Sequence, residues 1–306
     1  MTHRPPATAP VLVLAVHGSR DPRAAATARA LARATAHASG ARVRVGYADI
    51  AAPDVGRAAA EAGGAAVVVP AFLASGYHVR TDIPAQLARA GVADTPVAPA
   101  LDGEHRTARA AARRLREAGH RPGEAVVLAA AGSSDPRALT EARSAARVLS
   151  ALVGAPVETG FIATATPTAA EAAARMRRRH GGRVWAASWL LAPGLFHTRL
   201  AECGADAVTA PLCTPEHPDP GITEALALRY HRARSRPALT AAAPAEAAAR
   251  QAGEVPWRRG TSPPGGAPGG APLPADRPVP LRPLRRSAEA PACRCGAPRQ
   301  AIGARP

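Results

Sequence analysis

Continuous apolar runs alternate with Ala/Arg/Leu-rich stretches of helical period from residue 11 to residue 234. The runs at Val11 to Val16, Val43 to Tyr47, Ala66 to Pro70, Val97 to Ala100, Val126 to Ala130, Val157 to Ile162, Val184 to Leu190 and Val208 to Pro211 read as strands. Residues 22–38, 54–62, 83–91, 104–118, 136–152, 168–179 and 221–234 read as helices. Val/Leu runs without polar alternation are strands buried on both faces, which predicts parallel sheets covered by helices, an α/β architecture. After about residue 236 the periodicity stops. Thirteen of the 32 prolines fall in the last 66 residues, so residues 236–306 are expected to be a Pro/Arg-rich disordered tail that has too little apolar surface to offset its ordering entropy.

The same phrase is written twice. VLAVHGSRDPRA at 13–24 returns as VLAAAGSSDPRA at 127–138, an offset of 114. At that offset GYADIAAP (46–53) falls on GFIATATP (160–167), and with four residues inserted AFLASGYHV (71–79) falls on WLLAPGLFH (189–197). Three matches in one order predict two tandem repeats of a four-stranded parallel sheet flanked by helices. The expected division is an N-terminal half at 9–119, a degenerate C-terminal half at 122–235, and the tail.

What the halves share serves the fold: a glycine at the strand-to-helix turn, then Asp-Pro as N-cap and first helical residue. What only the first half keeps is different in kind. His17 aligns with Ala131, Asp49 with Ala163 and His78 with Phe196. All three lie just past the carboxyl ends of the first three strands, the edge where open parallel sheets bind ligands. In the strand order 2-1-3-4, His17 and His78 face each other at the switch point, with Asp49 on the flanking strand. Two imidazoles and a carboxylate suit a borderline divalent ion with open positions for a substrate, and imidazoles also accept protons near neutrality. A Ser-His-Asp hydrolase built on Ser19 would lack a G-x-S-x-G elbow. His197 lies one place beyond the partner of His78, so strict alignment leaves it outside the set.

Composition narrows the chemistry. All 39 basic residues are Arg, and neither Lys nor Asn occurs. Without lysine there is no P-loop GK[ST] and no Schiff-base amine, which excludes P-loop nucleotide chemistry and pyridoxal-phosphate catalysis. The net charge of +16 comes with aromatics at 3% and no zinc-finger or RNA-binding signature, so no nucleic-acid partner is expected. Four cysteines, Cys203, Cys213, Cys293 and Cys295, do not make a disulfide framework. The run PVLVLAV is too short for a signal-peptide core or a membrane span. We expect no membrane partner and a cytoplasmic setting.

HGSRDP at 17–22, SGYHVRTDIP at 75–84, AAGSSDPRA and LLAPGLF together resemble the sirohydrochlorin chelatases of the class II chelatase superfamily, in their long, two-domain form, over about residues 9–233. The resemblance implies insertion of Fe2+, favoured, or Co2+ into a reduced octacarboxylate tetrapyrrole, on the way to siroheme or cobalamin, without ATP. It implies a metal substrate and no permanently bound cofactor. His17 and His78 would bind the metal and assist proton removal. Asp49 stands where some relatives carry Glu and would be a third ligand. The tetrapyrrole would lie between the halves against Ser19, Arg20, Ser75, Gly76, Tyr77 and Arg80, with Arg20 and Arg80 meeting carboxylates. A chain holding both halves is expected to be a monomer. The same residues would also serve a non-catalytic metal or tetrapyrrole carrier. Cys293 and Cys295 supply two thiols, too few alone for a tetrahedral zinc or iron-sulfur site.

Overall fold

A computed structural model describes residues 9–101 and 105–235. The tail, with Cys293 and Cys295, lies outside them. Each repeat opens on a buried strand, β1 (Val11–Val16), whose last residue alone is partly exposed, and its counterpart β4 (Ala125–Ala130). Each strand turns into an 18-residue helix, α1 (Pro22–Ser39) and α5 (Pro136–Val153). The Asp-Pro starts form as the sequence predicts. Asp21 and Asp135 accept the backbone N–H of Arg23 and Arg137, satisfying a donor the helix itself cannot.

In the first repeat β2 (Val43–Tyr47), α2 (Val55–Ala60), β3 (Ala66–Pro70), a π-turn (His78–Asp82) and α3 (Ile83–Arg89) follow. The strands pair in parallel in the order β2-β1-β3, with Val13 opposite Arg44 on one side and Val68 on the other. After α4 (His105–Glu117), the second repeat adds β5 (Val157–Phe161), α6 (Ala169–His180), β6 (Val184–Trp189), α7 (Leu195–Leu200), β7 (Ala207–Val208) and α8 (Pro220–Arg234) to β4 and α5. Its sheet runs β5-β4-β6-β7. The expected 2-1-3-4 order holds in the second repeat.

The first repeat departs in its fourth strand. Val97 to Ala100 makes only one parallel bridge, Val68 to Val97, so that sheet has three strands. The segment reads PVAPA, and two prolines within five residues remove ladder donors.

The helices that close the repeats are exchanged. α4 packs on α5 and β6 of the second repeat, while α8 packs on α1 and β3 of the first. Polar side chains anchor each one. Tyr230 of α8 donates its hydroxyl to Pro10 O at 2.6 Å, and Arg229 donates to Ala100 O at 2.9 Å. Arg113 of α4 holds Asp219, the N-cap of α8, at 2.6 Å. One core cluster therefore runs through both repeats, joining Leu12, Leu14 and Leu31 to Val126, Leu128 and Tyr230. Small side chains dominate it, as the alanine-rich composition predicts. No helix among the described residues is long and apolar enough to cross a membrane.

Candidate functional site

The carboxyl edges of the two sheets face each other. A Cβ placed on Gly76, in the loop after β3, would lie 3.4 Å from Ser133 Oγ of the second repeat. One placed on Gly194, after β6, would lie 3.7 Å from Ser19 Oγ of the first. These are equivalent contacts in the repeat alignment, so the two halves meet about a pseudo-twofold axis between their ligand-binding edges.

His17 directly follows β1 and projects from this edge as an exposed side chain. Its position depends on Gly18. With φ at +95°, Gly18 turns the chain beneath the following loop, where a Cβ would collide with the carbonyl oxygen of Asp49. Gly132 repeats the turn at φ +96° against Ala163, so the turn serves the fold and the imidazole is the added part. His17 Nδ1–H donates to Gly18 O at 3.0 Å, which leaves Nε2 with its lone pair.

His78 approaches from the π-turn after β3. Its Nδ1–H donates to Asp82 Oδ2 at 2.6 Å, an i,i+4 contact within the turn. A carboxylate behind an imidazole fixes the ring's orientation and tautomer and again frees Nε2, the usual support behind metal-bound histidines. The His17 and His78 rings stand edge to face with centroids 4.5 Å apart. Phe72 lies 6.4 Å from the first and 6.1 Å from the second, an apolar backing for the pair. Asp82 was not among the residues expected from the sequence; the H-x-x-x-D spacing inside HVRTD was the signal.

Asp49 is exposed beside the edge, and its N–H donates to His17 O at 2.9 Å. Its carboxylate accepts the N–H of Ile50 at 2.8 Å. Among the described residues no group of three or more His, Cys, Asp or Glu is placed to hold a metal ion. The structure thus brings together His17 and His78 and does not complete a three-ligand set with Asp49.

The other expected residues lie on the two segments that carry the pair, after β1 and after β3. Ser19 Oγ accepts the N–H of Asp21 at 3.1 Å, just as Ser133 accepts that of Asp135 at 3.0 Å. Arg20 and Tyr77 are exposed. Arg80 Nε donates to Ser75 O at 2.9 Å, and its guanidinium approaches Asp135 of the second repeat at 3.7 Å. Tyr77 and Leu195, equivalent positions in the alignment, are 58% and 62% exposed, and Ile50 is 58% exposed. Three of the few exposed large apolar side chains therefore sit at this one edge. Leu195 was legible only through its alignment with Tyr77.

The second repeat carries Ala131, Ala163 and a half-buried Phe196 at the three polar positions. His197 Nε2 lies 3.0 Å from Thr209 O, which ties that ring to its own repeat. Cys203 and Cys213 are buried free thiols, and burial pushes the Cys213 thiol up to about 12.

A family model described as CbiX matches residues 11–118 and again 125–233. No curated protein sequence matches the chain. Among solved structures, SirB from Bacillus subtilis with Fe3+ superposes with a TM-score of 0.61 at 20% identity, covering 74% of this chain and 95% of its own. The sirohydrochlorin chelatase SirB from Bacillus subtilis subspecies spizizenii, in complex with cobalt, gives 0.59 at 20% identity over 74% and 96%. CbiX, described as the terminal enzyme for biosynthesis of siroheme in denitrifying bacteria, gives 0.55 at 26% identity over 73% and 99%. The fold is the one these proteins have.

Proposed function

The chain belongs to the CbiX family, and from that premise we propose that it is a sirohydrochlorin chelatase, a lyase inserting a divalent metal into sirohydrochlorin without a nucleotide. The observation that carries this reading is the His17–His78 pair, two rings 4.5 Å apart, with both Nδ1 atoms hydrogen-bonded and neither Nε2 partnered among the described residues. Two neutral imidazoles hold a borderline divalent ion loosely, leaving positions for ring nitrogens, where a thiolate cage would not let it go. Metallation also requires two pyrrole N–H protons to leave. An imidazole that has released the ion is the acceptor at hand, and Nε2 is the accepting atom.

The macrocycle presents two apolar faces and a rim of carboxylates. Tyr77 and Leu195 from opposite halves, with Ile50, supply apolar contact. Arg20 and Arg80 supply guanidinium donors for the rim, Arg80 through the nitrogens that Ser75 O leaves unused. Asp49 is assigned a ligand role through Oδ2, since the Ile50 N–H engages only Oδ1. Fe2+ is the favoured metal, supported by the siroheme role of the 26%-identical CbiX, and Co2+ is the alternative. The protein is read as a monomer, since the pairing of halves is internal to the chain, with a cytoplasmic setting and no permanent cofactor.

The test is anaerobic metallation of sirohydrochlorin by purified protein, followed by the absorbance of the metallated ring. Acceleration over the spontaneous rate, greater with Fe2+ than Co2+, is the expected result. Stoichiometric binding of metal or tetrapyrrole without acceleration would make the protein a carrier instead.

A further inference from the structure

We propose that Glu141, on α5 of the repeat that has lost its histidines, is a positioning residue for the loop that carries His78 in the other repeat. Glu141 Oε2 accepts the backbone N–H of Ser75 at 2.7 Å. The carbonyl of the same residue accepts Arg80 Nε at 2.9 Å, and Arg80 is faced at 3.7 Å by Asp135. Both peptide groups of Ser75 are thus gripped, one directly from the second repeat and one through Arg80. His78 lies within the segment that the Ser75–Arg80 contact closes. The close approach of Gly76 to Ser133 and Ala138 seats the loop against the start of α5.

The repeat itself supplies the control. On the equivalent side, Ser75 becomes Pro193, which has no N–H to donate, and Arg80 becomes Thr198. Glu141 becomes Thr27, whose hydroxyl turns back to Arg23 O at 2.8 Å, and the counterpart of Asp135, Asp21, is paired with Arg23 at 2.7 Å. Donor and acceptor are missing together on the side where His78 is replaced by Phe196. A contact needed only to hold the halves together would serve on both sides of the pseudo-twofold axis. This one goes with the histidine, which points to metal-site geometry as its purpose. It also gives the degenerate half a part in the chemistry beyond forming the facing wall.

The inference rests on the proposed metal role of His78, and the experiment separates the two. Full-length protein is titrated with Co2+, read by its visible absorption, for wild type, His78→Ala, Glu141→Thr, Glu141→Gln, Ser75→Pro and the Glu141→Thr/Ser75→Pro double variant. Thermal melting of each variant sets a temperature at which all are folded. His78→Ala should abolish the spectrum. Glu141→Thr and Ser75→Pro should each weaken Co2+ binding by about ten-fold or more, the range for groups that orient a metal ligand from behind. Glu141→Gln, which keeps an acceptor oxygen, should restore it, and the double variant should be no weaker than the worse single one. Wild-type Co2+ affinity in Glu141→Thr, with binding lost in His78→Ala, would overturn the inference and leave the metal reading standing. Wild-type binding in His78→Ala would overturn both.

Discussion

Asp82 accepts the Nδ1–H of His78 at 2.6 Å from four residues along the same π-turn. The contact is charge-assisted and only partly exposed, so it fixes which nitrogen of His78 faces the cleft.

Asp82→Ala should lower Co2+ affinity or metallation rate by about 10- to 100-fold, the usual cost of removing such a partner. Asp82→Asn retains an acceptor and should fall between. Circular dichroism checks that both remain folded, and wild-type activity in Asp82→Ala would show that the pair does not orient the ring.

Gly18→Ala and Gly132→Ala meet the same obstacle, a backbone carbonyl in the path of the new Cβ at a left-handed φ. Each should lose at least about 1–3 kcal/mol of stability, read as a lowered Tm. Only Gly18→Ala displaces His17, so only it should also weaken metal binding. Equal metal affinity in the two variants would separate the Gly18 turn from the site.

Tyr77→Ala and Leu195→Ala should raise KM for sirohydrochlorin and leave Co2+ affinity unchanged. Removing part of an apolar contact is worth about 1–2 kcal/mol, roughly 5- to 30-fold. A change in Co2+ affinity without a change in KM would assign these side chains to the metal and not the ring.

Stability should fall on acidification. The N–H of Arg121, with Trp185 Nε1, holds the Glu124 carboxyl below its ordinary 4.5. The N–H of Val184, with Arg177, holds Asp206 below 3.8. A depressed folded-state value contributes stability that is present above the unfolded value and lost as pH falls through the folded one. Tm should therefore drop progressively below about pH 4.5, and less steeply in Glu124→Gln/Asp206→Asn. An unchanged slope in that double variant would contradict the assignment.

In a Cys293→Ser/Cys295→Ser background, neither Cys203 nor Cys213 should react with a thiol reagent at pH 8 until the protein unfolds. Both are buried, and Cys213 ionises only at about 12. Rapid labelling of the native protein would contradict this packing.

The α/β class, the repeat and the His17–His78 pair were legible in the sequence because each rests on local spacing. Continuous Val/Leu runs mark buried strands, and the offset that aligns the halves also shows which side chains only one half kept. The failure of Val97 to Ala100 to form the expected fourth strand of the first repeat was not legible, because these residues have strand-like side chains while Pro96 and Pro99 deny the ladder its donors. Asp82 left only the H-x-x-x-D spacing as a trace, because no apolar pattern marks the π-turn that brings it behind His78. Glu141 was hidden for a different reason: its partner is a backbone N–H 66 positions away, which leaves no trace in either residue's surroundings. Asp49 was placed at the right edge, but whether a carboxylate joins two imidazoles depends on loop geometry. Here that geometry turns it to the Ile50 N–H.

The first repeat's two imidazoles are proposed to perform the metallation. The direct measurement is the anaerobic rate of Fe2+ insertion into sirohydrochlorin by wild type, His17→Ala and His78→Ala at equal protein concentration. Wild type should accelerate insertion, and each variant should fall by about 100-fold or more toward the spontaneous rate, the range for losing a positioned proton acceptor. Wild-type rates in both variants would contradict it.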